Sequence, residues 1–224
     1  MAKTVENLFV YIATFSSLLP ILLFGLYARR KPLPKTFFLI GAYSIIEFVI
    51  NIFTVFISSS VYNSIYSSFT VIEYLLFAYC LFLLISNLLI KKFIILVSCS
   101  FTIFAVIYFS TAEYKVLDSI PIGVETIIIL SHIFYYLYEQ MVAPSQILIY
   151  NRYHFWIVCA FMIYLSGSFF IYIFANQVDQ NTLNIYWMFT NVFTILKNVF
   201  FSISILVFRK RTRHGIDTNS YYLT

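Results

Sequence analysis

Lys197 stands close to the midpoint of an apolar run from Tyr186 to Leu206, YWMFTNVFTILKNVFFSISIL. A lysine at that depth of a bilayer costs about 2.5–3.5 kcal/mol on insertion scales, so it needs a partner or a task. Three carboxyl groups, Glu47, Glu73 and Glu125, and the imidazole of His132 lie in other apolar runs. An amine, three acids and an imidazole can form ion pairs, relay protons or hold a small polar ligand. Intramembrane ionisable groups usually face the interior of a helix bundle and mark such sites.

Helical spacing gives these residues polar company. Ser44, Glu47, Asn51 and Thr54 recur at three- and four-residue steps and share one helix face. Thr70, Glu73, Phe77 and Cys80 form a thinner stripe. Glu125, His132 and Glu139 repeat at seven-residue intervals, and Asn191, Thr194, Asn198 and Ser202 make a fourth stripe. Lys197 lies about 100° from Asn198, on the flank of its stripe, within reach of a neighbouring carboxylate. The expected site therefore comprises Glu47, Asn51, Glu73, Glu125, His132, Asn191, Lys197 and Asn198. Crowded acids should leave at least one of the three protonated at neutral pH and another, with Glu73 the first candidate, paired to Lys197. The alternative is that buried Glu and Asn only hydrogen-bond helices together, with small residues such as Ser166–Gly167–Ser168 allowing close approach.

What must position these groups is a membrane bundle. Of 224 residues, 62% are hydrophobic and only 10% charged, too few charges for a water-soluble surface. Seven runs are long enough to span a bilayer: 7–28, 36–58, 66–86, 93–111, 119–138, 154–175 and 184–208. The predicted fold is all-α: a seven-helix transmembrane domain over 1–208, followed by a basic tail over 209–224. No mid-span Pro or Gly pair is read as a helix break, so each span is expected to be continuous. The first run is expected to be a retained span, because it lacks the order of a signal peptide. Cys80, Cys99 and Cys159 lie singly in apolar runs and read as packing residues, with no metal-ligand spacing.

Charge sets the expected direction. Arg29, Arg30, Lys31, Lys35, Lys91, Lys92, Arg152, Arg209, Lys210, Arg211 and Arg213 fall at one set of ends, and only Lys3 and Lys115 at the other. That asymmetry places the N-terminus outside and the C-terminus in the cytoplasm. The net charge of +5 sits in short clusters between spans, so no nucleic-acid partner is expected. The basic tail should lie against anionic headgroups or dock a cytoplasmic partner.

Glu73 on span three and Lys197 mid-way along span seven give the chain a topological similarity to the rhodopsins. That resemblance implies retinal on Lys197 with Glu73 as counter-ion. Phe193, one turn before Lys197, and a sixth span without the Trp/Tyr/Pro pattern depart from it, and no cofactor is expected. The whole chain also resembles small bacterial seven-span membrane proteins with Glu in spans two, three and five. These share a sixth span of the form of Phe155, Trp156, Ile157, Tyr164, Ser166 and Gly167, and an Asn-rich seventh. This likeness implies an integral protein of a bacterial inner membrane and no particular activity. With no HExxH and three His in all, a hydrolytic zinc site is not expected, and an enzyme is the weaker reading. The leading expectation is a receptor-like sensor that binds a small ligand or a proton in a polar cavity in its outer half and signals to a partner. The alternatives are a small proton-coupled permease or a structural subunit of a membrane complex; a homo-oligomer is compatible with all three.

Overall fold

The computed structural model describes residues 2–28, 33–53, 59–111, 119–142, 148–174 and 180–213. Among these residues every regular element is helical: α1 (Ala2–Ser16), α2 (Leu18–Ala28), α3 (Lys35–Phe53), α4 (Ser59–Leu84), α5 (Leu88–Thr111), α6 (Ser119–Val142), α7 (Tyr153–Phe174) and α8 (Gln180–Arg213). A single 3₁₀ turn, Ile149–Asn151, leads into α7. Seven segments are long and apolar enough to cross a membrane, the first being Leu8–Ala28, formed by α1 and α2 together. Large apolar side chains such as Leu22, Leu26, Phe38, Leu96, Ile103 and Val106 lie exposed on their outer faces. In water they would be an aggregation liability; against acyl chains they are at home. Thr54, Lys115, the basic triplet at 29–31 and the tail over 214–224 lie outside the described residues.

Three boundaries differ from the sequence reading, each for a physical reason. The first span is not continuous: α1 ends at Ser16, and α2 begins at Leu18. Pro20 has no N–H for the Ser16 carbonyl and its ring crowds it, so the helix parts one turn before the proline. The Ser16 and Ser17 hydroxyls donate to the carbonyls of Ala13 and Thr14, each at 2.6 Å, and so satisfy backbone groups that lipid could not. Helix α4 starts at Ser59 rather than at 66, because helical backbone continues beyond the apolar run that marks a span. The gap read at Leu89–Lys92 is instead the first turn of α5.

The real break between α4 and α5 falls at residues 85–87. The Asn87 side chain caps α5, accepting the Leu89 N–H at 2.9 Å. Glu139 accepts the backbone N–H groups of Ser86 (3.0 Å) and Asn87 (3.1 Å). A carboxylate at a helix N-terminus is favoured both by these donors and by the helix dipole.

The helices pack in sequence order around a ring that α8 closes against α1 and α2, with α4 reaching across to α6. Helices α7 and α8 make the most intimate pair. The reason is Gly167. A Cβ there would lie 2.4–2.5 Å from the Phe193 ring, so glycine alone lets that ring rest on the α7 backbone. The small-residue patch expected around Ser166–Ser168 is therefore a helix-packing surface. Trp156 stacks on Phe200 across the same seam at 5.6 Å between centroids, and Phe77 of α4 stacks on Phe161 of α7 at 4.0 Å.

Gly167→Ala is expected to lower stability by about 1–3 kcal/mol through overpacking against Phe193. Gly25→Ala, where nothing lies within 4 Å, should be neutral or stabilising. Thermal melting of both variants in nanodiscs checks the pair; equal effects would contradict the packing argument.

Candidate functional site

Lys197 is wholly buried, with 0% of its side chain exposed. Its ammonium donates to Glu47 Oε1 at 2.7 Å and to the Tyr43 hydroxyl oxygen at 2.5 Å. The Tyr43 hydroxyl in turn donates to Glu73 Oε1 at 2.6 Å. Three helices are thereby tied into one chain: Glu47 and Tyr43 from α3, Lys197 from α8, and Glu73 from α4.

Aromatic faces enclose the amine. It lies 4.0 Å from the Tyr164 ring centroid and 4.4 Å from that of Tyr43, both cation–π distances. Tyr43 is itself wedged among Phe69, Phe77 and Phe201, at centroid distances of 6.0, 5.0 and 6.1 Å. These contacts fix the phenol where it can accept from Lys197 and donate to Glu73 at once. In such surroundings effective dielectric is low, and each charged hydrogen bond is worth more than at a surface.

Glu125, on α6, is buried and close enough to Glu73 for the two to feel each other's charge. Its Oε1 has no hydrogen-bond partner, and neither does Oε2 of Glu47. Two of the three carboxyls, Glu47 and Glu73, are joined to the amine, while Glu125 is buried on α6 toward Glu73 and makes no bond to Lys197. The pairing differs from expectation. Glu47 holds Lys197 directly, and Glu73 is reached through Tyr43. At 2.5–2.7 Å for each contact, the phenol occupies the place where a direct Lys197–Glu73 bond would run.

The remaining predicted residues divide. Asn198 is buried beside Lys197 and donates through Nδ2 to Ser16 Oγ at 2.9 Å, linking α8 to the broken first span. Thr194 and Ser202 of the same stripe are buried, whereas Asn191 is half-buried and does not join the Lys197 network. Asn51 is half-buried one turn beyond Glu47 on α3. His132 is a correction. It is buried, but it packs edge-on to Phe93 of α5 at 6.3 Å between centroids, with Nδ1 unpartnered. Two helical turns separate it from Glu125, about 10 Å along the axis, so sharing a face does not bring the two together.

Tyr43, Tyr164, Ser16 and Ser17 lie at or beside the site and are not among the site residues the sequence points to, Tyr164 being named there only for the sixth-span pattern. Tyr43 alone had a usable signal: it precedes Glu47 by four residues and so shares its face. No family model, curated protein or solved structure matches the chain.

Lys197→Met removes the ammonium and leaves Glu47 buried and unpaired, a change that costs about 3–5 kcal/mol where one partner of a buried pair is lost. Adding Glu47→Gln should recover much of that loss, and adding Glu73→Gln less. Melting temperatures arranged as two double-mutant cycles read this directly. A larger coupling to Glu73 than to Glu47 would reverse the assignment.

Proposed function

We propose that this chain is a proton-responsive seven-helix membrane protein of the sensor class, seated in a bacterial inner membrane with its C-terminus in the cytoplasm. One observation carries the reading: the unbroken chain Glu47–Lys197–Tyr43–Glu73, with Glu125 beside its end. Each link is a hydrogen bond between groups that can give or take a proton. A proton shifted from Lys197 to the Tyr43 oxygen, as the Tyr43 proton passes to Glu73, balances along the chain. It leaves a neutral amine and a neutral acid, with Tyr43 unchanged. A proton passed instead from a protonated Glu125 to Glu73 moves the negative charge from Glu73 to Glu125 and weakens the acceptor that Tyr43 faces. Lys197 then depends on Glu47 alone, and the balance of forces between α8 and its neighbours α3 and α4 changes.

The readout would run along α8, which continues past Lys197 to Arg209, a hydrogen-bond donor to the Tyr27 hydroxyl of α2. Arg209 also sits over the Tyr27 ring at 4.6 Å. A cytoplasmic or membrane partner would sense this end of the bundle.

Transport is the second reading, and one feature of the structure favours it. Interrupted helices are typical of transporter binding sites, and the first span is interrupted at Ser17, beside Asn198. In proteoliposomes this reading expects pH-dependent uptake that Gln at Glu47, Glu73 and Glu125 abolishes.

Difference infrared spectra between acidic and neutral pH, taken in nanodiscs, test the proton reading. A protonated-carboxyl stretch is expected, reduced by Glu73→Gln or Glu125→Gln. Spectra with no carboxyl band sensitive to either substitution would sink it.

A further inference from the structure

The break in the first span lies beside buried oxygens that have no hydrogen-bond partner among the described residues. Asn198 is fully buried, and its Oδ1 has no partner. The amide's orientation is fixed by chemistry. Ser16 Oγ spends its proton on the Ala13 carbonyl at 2.6 Å, so it can only accept from Asn198, at 2.9 Å. Nδ2 therefore faces Ser16, and Oδ1 is left over as a bare acceptor. On α3, Glu47 Oε2 and the hydroxyl of Ser44 are buried without partners as well, one helical turn apart on the face that meets α8. The Phe15–Phe48 contact, 6.5 Å between centroids, sets α1's end against this part of α3. The carbonyl of Ser16, which Pro20 cannot serve, adds a further oxygen, and it belongs to the negative end of the α1 dipole.

We propose that Asn198 Oδ1, Glu47 Oε2, Ser44 Oγ and the Ser16 carbonyl form a site for a sodium-sized monovalent cation at the break in the first span. The donor set is all oxygen, as a hard cation requires. Half-helix C-terminal ends with unwound carbonyls coordinate sodium in other membrane proteins. Lys197 occupies only Oε1 of Glu47, so the carboxylate can bridge the ammonium and the metal. The charge is supplied by Glu47, whose Oε1 answers Lys197 and whose Oε2 is left without a partner.

The protein reconstituted in nanodiscs at fixed pH tests this, with sodium chloride compared against choline chloride at equal ionic strength. A rise in melting temperature of about 2–4 °C is expected once sodium is about fivefold above its dissociation constant. Bound radiolabelled sodium should approach one per chain and fall with Asn198→Ser or Ser44→Ala. Should one variant fail to fold, the other reads the same loss. Identical melting in the two salts overturns the site and leaves an ordered water as what the oxygens hold. Sodium binding unchanged by both substitutions overturns it too, because the ion then sits elsewhere. The site does not depend on the proton reading: infrared spectra taken in choline chloride judge that reading whatever the sodium result.

Discussion

A single ammonium group in a medium that cannot solvate it constrains the centre of this protein. Lys197 is removed from solvent on every side, and its charge must be answered within hydrogen-bonding distance or not at all. Glu47 supplies the opposing charge and Tyr43 a second acceptor, while two phenol rings turn their electron-rich faces toward the amine. Because these groups come from α3, α7 and α8, satisfying the lysine also sets how those helices meet. The requirement extends to α4: Tyr43 can accept from Lys197 in this geometry because its own proton is directed to Glu73. Core aromatics fill the space around the polar chain and keep it dry, which strengthens each of its bonds.

The same reasoning explains why the first span breaks where it does. In lipid an unsatisfied carbonyl is expensive, so a proline-induced break survives only where other groups reach it. Here serine hydroxyls turn back onto Ala13 and Thr14, and Asn198 arrives from α8 to engage Ser16. Asn198 follows Lys197 directly in sequence, so α8 presents an ion-pair partner to α3 and an amide to α1 from successive positions. The 100° between them, which at first sight places the lysine off its polar stripe, is what lets one helix serve two neighbours. A continuous first helix would have given Asn198 little to bond, and an apolar residue there would have done as well.

Much of this architecture was legible in the chain. Twenty-residue apolar runs and their basic flanks specify spans almost independently of tertiary contacts, because the bilayer imposes length and polarity locally. The polar faces were legible for the same reason: Glu47, Glu73 and Glu125 are too costly to show to lipid. Pairing was not. Which acid reaches Lys197 depends on helix order and axial offset, and on a tyrosine that carries no signal in a chain with 19 of them. Periodicity also has no length scale across neighbouring helices, which is why His132 was grouped with Glu125 although it packs on α5. Pro20 gives little signal on its own, since a lone proline inside an apolar run is tolerated in many membrane helices; what makes it a break is the Ser16–Ser17 pair before it and Asn198 opposite. Glu139 shows the reverse case: spacing puts it in line with Glu125 and His132, yet it gathers the backbone N–H groups of Ser86 and Asn87 across a chain distance no spacing rule covers.

Sensor and transporter make different demands on the same cluster. A transporter must open the polar chain to each side in turn, so it needs a place where the bundle can part; a sensor needs only that a change of charge at one point move a rigid element. Helix α8 is such an element. It runs for 34 residues, about 50 Å at 1.5 Å per residue, with Lys197 near its middle and Arg209 against Tyr27 close to its end. The middle and the C-terminal end of that lever are held by charged hydrogen bonds to the α2–α3 region, so altering the one at Lys197 without altering the one at Arg209 would load the helix between them rather than let it slide freely. Parting the bundle is the costlier act on the α7 side, where the Phe193 ring lies against the bare backbone at Gly167 and would have to be withdrawn. The side with the break, where α8 meets α1 and α2 through hydroxyl, amide and phenol, can rearrange by exchanging hydrogen bonds. On the proposed reading, a motion driven from the cluster would therefore be directed toward the first span, with α7 and α8 staying packed together.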